Sequence, residues 1–171
     1  MRGLMIVFTG NGKGKTEAAF GLALRSLGWG KKVLIIQFLK KWETGELKAI
    51  KQLSNLAIEQ FGTKGFVDPK KLRPIDFKEV HRAMDRALYA IRYLPYAVVI
   101  LDEINVAVKF GLISKEEVIR LLKLKPPEMT IVLTGRAACP EFIEGADLVT
   151  EFVEIKHPYK MGEKAKKGID Y

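Results

Sequence analysis

The segment TGNGKGKT, from Thr9 to Thr16, places three glycines and two lysines within eight residues, a composition that suits phosphate binding. It matches the pattern G-x-x-x-x-G-K-[ST], except that Thr9 stands where the pattern begins with glycine. Glycines lack a Cβ, so successive backbone N–H groups can converge on anionic oxygens. Lys15 would add a mobile cation, and the Thr16 hydroxyl would add a magnesium ligand. The residues predicted to bind the phosphates are Thr9, Gly10, Asn11, Gly12, Lys13, Gly14, Lys15, Thr16 and Glu17.

A strand and a helix are predicted on either side of this loop. The apolar stretch GLMIVF precedes it and is typical of a buried strand, whereas EAAFGLALRSLG follows it and favours a helix. A helix that begins near Lys15 would direct its unpaired amides, and about half a positive charge from its dipole, at a bound anion. The alternative is a glycine-rich turn whose lysines are only solvated, but the flanking elements favour a phosphate loop.

Two adjacent carboxylates, Asp102 and Glu103, end the apolar run AVVILDE. Such a run is typical of a central parallel strand buried on both faces, so the carboxylates would emerge at its carboxyl end, beside the phosphate loop. There Asp102 would hold magnesium through water, with Thr16 as a further ligand, and Glu103 would shape the metal site or orient a water. In the alternative interpretation, both acids cap the next helix, at INVAVKF.

Arg136 follows another predicted strand, in the segment MTIVLTGR. Gly135 allows the chain to leave the sheet sharply, which would bring the arginine to the same edge as the phosphate loop. A guanidinium there can bind phosphate oxygens in a bidentate manner. Arg136 therefore joins Lys15 and Thr16 as a predicted catalytic residue, with a surface salt bridge as its alternative role.

Strand and helix patterns alternate along the whole chain, without repeats or linkers, which favours a single domain spanning 1–171. Strands are predicted at LMIVFT, KVLIIQF, LAIEQF, YAVVILD, MTIVLTG and DLVTEFVEI. This alternation predicts an α/β fold with a mostly parallel sheet, helices on both faces, and ligands beyond the carboxyl ends of the strands. In the helical segment 76–93, Glu79 is predicted to face solvent, and the predicted apolar face consists of Phe77, Val80, Met84, Leu88 and Ile91.

The composition limits the location and the partners of the protein. No apolar run approaches the ~18 residues of a membrane span, and no cleavable leader precedes the first strand, so we expect a cytoplasmic protein without a membrane partner. The single cysteine, Cys139, excludes an intrachain disulfide. The formal charge of +9 suits a lysine-rich solvated surface or a basic rim for an acidic small molecule. Aromatic residues are not interleaved with the charges, so no nucleic-acid partner is expected.

Segments from essentially the whole chain resemble the ATP:corrinoid adenosyltransferase family. They are TGNGKGKT, GKKVLIIQFLK, VVILDE, TIVLTGR and the tail KHPYKMGEKAKKGIDY, in the order that the family has. The tail is the most specific of them, because K-H followed by G-x-K-A-x-x-G-I-D-Y is not a general feature of phosphate-loop proteins. His157 and the closing Gly168, Ile169 and Asp170 match that tail residue by residue.

The resemblance implies a homodimeric enzyme with a three-layer, RecA-like P-loop NTPase fold that uses ATP and Mg²⁺. The implied reaction is an attack by the Co(I) of a reduced corrinoid on the 5′ carbon of ATP, with release of the whole triphosphate. An electron-donating reductase would supply the Co(I). The corrinoid then provides the nucleophile, so the protein needs no activated serine, cysteine or histidine, and none is evident. Phe66 and His157 are the further binding residues that the resemblance implies.

Two features of the chain depart from the family pattern. Relatives carry an extension ahead of the first strand that helps to cover the active site, whereas this sequence starts a few residues before that strand. Relatives also place a phenylalanine and a tryptophan two residues apart after the third strand, but GFVDP has Phe66 followed by Asp68. Exclusion of the lower cobalt ligand is therefore expected to be weaker here. In the alternative, Phe66 only packs at the edge of the domain.

Three other functions share parts of these motifs. A nucleotide kinase would share the phosphate loop and Asp102, but its usual arginine-rich lid segment is not evident in the sequence. A RecA-like ATPase that acts on nucleic acid would suit the charge of +9, yet 171 residues leave no room for the usual second domain or DNA-binding loops. The third is a regulatory nucleotide-binding module without chemistry of its own.

Overall fold

Six strands form one sheet within residues 2–171, the part of the chain that the computed structural model describes. They are β1 (Met5–Thr9), β2 (Val33–Phe38), β3 (Leu56–Phe61), β4 (Val98–Asp102), β5 (Thr130–Thr134) and β6 (Leu148–Glu151). Each strand lies within a segment that the sequence predicts to be a strand. All neighbouring strands are parallel, in the order β3-β2-β4-β5-β1-β6. The predicted parallel α/β sheet is confirmed.

Helices follow most of the strands. They are α1 (Lys15–Gly28), α2 (Gly45–Ala49), α3 (Pro74–Tyr93), α4 (Ile104–Lys109), α5 (Lys115–Leu122) and α6 (Pro140–Gly145). Two 3-10 helices, Ile50–Gln52 and Pro158–Met161, complete the described chain. In residues 2–171, no helix combines the length and the apolar character needed to cross a membrane.

Side chains of the strands alternate between the two faces of the sheet, and helices cover both faces. On one face, Ile6 and Phe8 of β1 pack with Ala19 and Ala23 of α1. On the other face, Val7 belongs to a second core that includes side chains of α3, α4, α5 and α6. The inner strands are therefore buried on both sides, as a parallel sheet between two helical layers requires.

The longest helix, α3, buries most of its predicted apolar face: Val80 and Ile91 are in the core, and Met84 and Leu88 pack against it. The prediction is wrong for Phe77, which is 38% exposed, and for Glu79, which is 5% exposed. The fully buried positions of α3 include three small residues, which allow the helix to approach the sheet closely: Ala83, Ala87 and Ala90. Glu79 tolerates burial because the guanidinium of Arg82 donates a hydrogen bond of 2.6 Å to its carboxylate.

The strand order brings three loops together at the carboxyl edge of the sheet. Only β5 lies between β1 and β4. The loops that follow β1, β4 and β5 therefore leave the sheet side by side, and they carry the phosphate loop, Glu103 and Arg136. Parallel sheets bind their ligands at this edge.

Candidate active site

A cavity of about 620 Å³ opens at the carboxyl edge of the sheet. This volume lies within the range of ~300–1,000 Å³ that is typical of small-molecule sites. The cavity is lined by Gly12–Glu17, Gln37, Lys40, Trp42, Thr44–Glu46, Ala49, Glu103, Arg136, His157 and Gly168–Tyr171. Most of the residues predicted to act on the ligand thus face one common space.

The phosphate loop is held in shape by the chain that leaves β6. The amide of Gly12 donates a hydrogen bond of 2.7 Å to the carbonyl of Phe152, and a Cβ at Gly12 would lie 2.8 Å from that oxygen. Gly14 has φ of 115° and is the N-cap residue of α1, a conformation that favours glycine. Glycine at position 12 therefore allows the loop to approach the Phe152 backbone, and glycine at position 14 allows the turn into α1.

Lys15 is buried beneath the loop that precedes it. Its ammonium donates a hydrogen bond of 2.6 Å to the carbonyl of Gly12 and lies 5.9 Å from the ring centre of Phe152. Burial lowers the pKa of Lys15 below its ordinary value, and the charge of Glu103 offsets part of this shift. A second anion in the cavity would stabilise the charged form of this lysine.

Asp102 lies at the end of β4 and is fully buried, with hydrogen bonds to both carboxylate oxygens. The hydroxyls of Thr16 and Thr134 donate to Oδ1 at 2.9 Å and 2.6 Å. The amide of Gln37 and the ammonium of Lys40 donate to Oδ2 at 3.0 Å and 2.7 Å. Burial alone would raise the pKa of Asp102, but Lys40 and these donors hold the pKa below its ordinary value.

Lys40 and Gln37 are site residues that none of the sequence motifs indicated. Gln37 lies at the carboxyl end of β2, the strand adjacent to β4, and Lys40 lies in the loop that follows β2; both reach the same oxygen of Asp102. Burial alone would lower the pKa of Lys40, but Asp102 and Glu103 outweigh burial and raise it. Two polar residues at the end of the otherwise apolar run VLIIQFLK are the signal that could have indicated them.

Glu103 occupies a left-handed conformation with φ of 65°, directly after β4. Its backbone amide donates to the hydroxyl of Thr134 at 3.0 Å, and the residue lines the cavity. Burial raises the pKa of Glu103, and the neighbouring charge of Asp102 raises it further. Glu103 is the N-cap residue of α4, but its side chain makes no capping hydrogen bond, so the carboxylate does not serve as a helix cap.

Arg136 reaches the cavity because the chain turns sharply at the end of β5. Gly135 has φ of 126°, and its carbonyl accepts a hydrogen bond of 3.1 Å from the buried amide of Asn105. Arg136 lines the cavity and makes no ion pair with any residue of 2–171, in contrast to the alternative of a surface salt bridge. Its guanidinium is therefore available to an anionic ligand.

The C-terminal tail closes one side of the cavity. The ammonium of Lys13 donates to the carbonyl of Ile169 at 2.9 Å and to the carboxylate of Asp170 at 2.8 Å. Glu17 pairs with the same ammonium at 3.0 Å. His157 also lines the cavity, and its Nδ1 accepts a hydrogen bond of 3.2 Å from the amide of Tyr159.

Some residues predicted to contact the ligand lie outside the cavity lining. Gly10 and Asn11 do not line it, and the hydroxyl of Thr9 instead accepts a hydrogen bond of 3.1 Å from the amide of Ala138. Phe66 also lies outside the lining and is 93% exposed. Its ring packs on Trp42, with ring centres 5.6 Å apart and planes inclined by 60°. Trp42 does line the cavity, although none of the sequence motifs indicated it.

The donor set beside the phosphate loop fits a magnesium ion. The Thr16 hydroxyl and the Asp102 carboxylate are oxygen donors and lie within hydrogen-bond distance of each other. Among residues 2–171, no cluster of three or more His, Cys, Asp or Glu side chains is placed to hold a metal by itself. Magnesium sites of phosphate-loop proteins usually use one or two protein oxygens together with phosphates of the substrate, which is the number of oxygens that Thr16 and Asp102 would provide.

Comparison with known proteins gives matches along the whole chain. The family model for ATP:corrinoid adenosyltransferase BtuR/CobO/CobP matches residues 1–171. A corrinoid adenosyltransferase of Sinorhizobium sp is 41% identical, over 99% of this chain and 81% of the relative. The corrinoid adenosyltransferase of Escherichia coli (strain K12) is 37% identical, over 99% of this chain and 86% of the relative. That of Pseudomonas aeruginosa is 36% identical, over 99% and 84%.

Proposed function

This chain belongs to the ATP:corrinoid adenosyltransferase family, and on that premise we propose that it transfers the 5′-deoxyadenosyl group of ATP to the Co(I) of a reduced corrinoid. A cobalt–carbon bond forms as the C5′–O5′ bond breaks, and the bonding electrons leave with tripolyphosphate. The observation that carries the proposal is the shared cavity of Lys15, Arg136 and Thr16, with Thr16 hydrogen-bonded to Asp102. These are the groups that a departing triphosphate requires.

The protein has two tasks in such a reaction, which are to align the reactants and to stabilise the leaving group. The phosphate loop, the start of α1 and Lys15 would supply hydrogen-bond donors and positive charge to the triphosphate. Arg136 would add a second cation from the loop that follows β5. Thr16 and Asp102 would hold Mg²⁺, which when bound neutralises part of the phosphate charge. Glu103, whose pKa is raised by burial and by Asp102, would shape this site from the other side.

The aromatic pair Phe66–Trp42 supports a place for the corrinoid. Phe66 presents most of its ring to solvent, and Trp42 connects that ring to the rim of the cavity. The face of a corrin macrocycle is broad and apolar, so an exposed aromatic pair beside the ATP cavity is complementary to it. In this proposal, the pair packs against the corrinoid and keeps a lower ligand away from the cobalt.

Trp42 comes from the loop after β2, so the second aromatic group is supplied by a different segment from the one in the family pattern. Asp68, which takes the place of the family tryptophan, is exposed and accepts a hydrogen bond of 2.9 Å from the amide of Lys70. The carboxylate thus stabilises a local turn of the loop that carries Phe66. Homodimerisation and an electron-donating reductase come from the resemblance, and a cytoplasmic location comes from the expectation stated for the sequence; all three form part of the same proposal.

The products of the reaction test this function directly. The protein is incubated with ATP, Mg²⁺ and chemically reduced cobalamin, and phosphorus NMR is recorded on the spent mixture. We expect one tripolyphosphate per cobalt–carbon bond formed, with the bond followed by the visible spectrum. Stoichiometric ADP would instead identify a kinase or an ATPase and would refute the proposal.

Variants of the aromatic pair test the corrinoid contact separately. Phe66→Ala should slow adenosylation that starts from Co(II) much more than adenosylation that starts from Co(I), because only the first requires ligand removal. Asp68→Trp should shift the balance in the opposite direction. Trp29 and Trp42 are the two tryptophans of the chain, so in Trp29→Phe the fluorescence of Trp42 should be quenched by added cob(III)alamin. Equal losses from both starting states, a lowered melting temperature and unquenched fluorescence would show that Phe66 is a packing residue.

A further inference from the structure

The ammonium of Lys40 pairs with Asp102, the carboxylate that is also predicted to hold magnesium. The Nζ atom of Lys40 lies 2.7 Å from Oδ2 of Asp102. The Lys40 side chain is 17% exposed, whereas the Asp102 side chain is completely buried. Thr16 and Thr134 already donate to Oδ1, so Oδ2 is the oxygen on which the compensating charge sits. The cation and the predicted magnesium ion therefore require the same carboxylate.

Glu46 offers the ammonium of Lys40 a second anionic position. Glu46 lines the same cavity, and its Oε2 atom is buried without any hydrogen-bond partner. Its charge acts on Lys40, although the two groups do not form an ion pair in this structure. A buried carboxylate oxygen without a donor is costly, so a cation that moved to Glu46 would relieve that cost.

We propose that Lys40 is an exchangeable counter-ion of Asp102, which leaves Oδ2 when the magnesium–ATP complex binds and pairs with Glu46 instead. Lys40 is then a positioning residue, because it acts on the metal site through Asp102. It keeps the buried carboxylate compensated and oriented before the substrate arrives. The inference rests on the proposed use of magnesium at Thr16 and Asp102, but not on the corrinoid or on transfer to cobalt.

Exchange of this kind predicts a measurable coupling between Lys40 and magnesium. ATP affinity is measured by titration calorimetry without corrinoid, once with Mg²⁺ and once with a chelator, and the ratio of the two dissociation constants gives the magnesium effect. Lys40→Met leaves Asp102 without its competing cation, so the magnesium effect should rise by at least about fivefold, the lower end of typical couplings between sites. Lys40→Arg retains a cation and should stay near the wild-type ratio.

Matched neighbours serve as controls. Lys41→Met removes an exposed lysine next in the chain and should leave the ratio unchanged. Glu46→Gln should lower the magnesium effect, because Lys40 loses its second position, whereas Glu43→Gln, which removes an exposed carboxylate paired with Lys48, should not. If Lys40→Met does not fold, the comparison of Glu46→Gln with Glu43→Gln still decides the question.

A wild-type ratio in folded Lys40→Met, or equal ratios in Glu46→Gln and Glu43→Gln, would overturn the exchange. These outcomes are distinct from failure of the proposed function. If the protein shows the coupling but forms no cobalt–carbon bond, this inference holds and the proposed adenosyl transfer fails. If it forms the bond but shows no coupling, only the proposed adenosyl transfer holds.

Discussion

Replacement of Asp102 by asparagine removes one charge from the most enclosed polar group of the site while keeping its size. Asparagine can preserve the four hydrogen bonds if its carbonyl oxygen faces Gln37 and Lys40, and its amide faces Thr16 and Thr134. The two hydroxyls must then accept rather than donate, which threonine allows. The principal loss is the attraction between the carboxylate and the ammonium of Lys40.

The size of that loss follows from the environment of the pair. Removing one partner of a buried ion pair typically costs about 3–5 kcal/mol. The Lys40 side chain borders the cavity and is 17% exposed, so its ammonium can regain some water, and we expect the lower end, about 3 kcal/mol. For a chain of this size each kcal/mol shifts the melting temperature by about 2–4 °C, so Asp102→Asn should melt about 6–12 °C lower.

Thermal unfolding followed by circular dichroism measures this difference, with Asp85→Asn as a control at an exposed position of α3. The pKa of Asp102 is lowered in the folded protein, because Lys40 and the hydroxyl donors outweigh burial. Its stabilising contribution is therefore complete above the ordinary aspartate pKa and is lost as the pH falls through the lowered value. The gap between wild type and Asp102→Asn should accordingly narrow in acid.

A melting temperature of Asp102→Asn within about 2 °C of the control at neutral pH would correspond to a loss below about 1 kcal/mol. That result would refute this account of the Lys40–Asp102 ion pair. A gap that widened in acid would contradict the direction assigned to the pKa. The same variant should need more magnesium for activity, and an unchanged magnesium titration would remove Asp102 from the metal site.

Three further predictions concern neighbouring groups. Lys15→Ala should lower turnover at saturating ATP by ~10²–10³ while the melting temperature changes little, and comparable turnover would exclude Lys15 from the mechanism. Glu103→Gln should raise the melting temperature at neutral pH, because burial and Asp102 raise the pKa of Glu103 and so make its charged form unfavourable. This increase in melting temperature should vanish below the ordinary glutamate pKa, and an increase that did not depend on pH would contradict the assigned pKa shift. Asp170→Asn should release the tail from Lys13 and speed tryptic cleavage within 160–167, and an unchanged cleavage rate would show that this ion pair does not hold the tail.

The phosphate loop and the strand segments could be predicted from the sequence because each depends on contiguous residues. The run GLMIVF must bury both faces, the glycines of 10–14 permit the turn, and EAAFGLALRSLG favours a helix, so the signals agree within one short segment. The same holds for Asp102 and Glu103, whose place at the sheet edge follows from the apolar strand before them. On α3, the predicted apolar positions Val80 and Ile91 are buried, but the spacing of large apolar residues did not indicate that three alanines and Glu79 are buried as well.

Contacts between distant loops were decided only by the tertiary structure. Lys40 meets Asp102 across 62 residues, and Lys13 meets Asp170 across 157. Trp42 and Phe66 come from loops that follow two adjacent strands, β2 and β3. Local periodicity reports which face of a segment is buried, and it carries no information on which loops the strand order places side by side. The pairing of Lys40 with the buried Asp102 and the packing of Trp42 on Phe66 therefore depend on the tertiary structure and could not be predicted from local sequence.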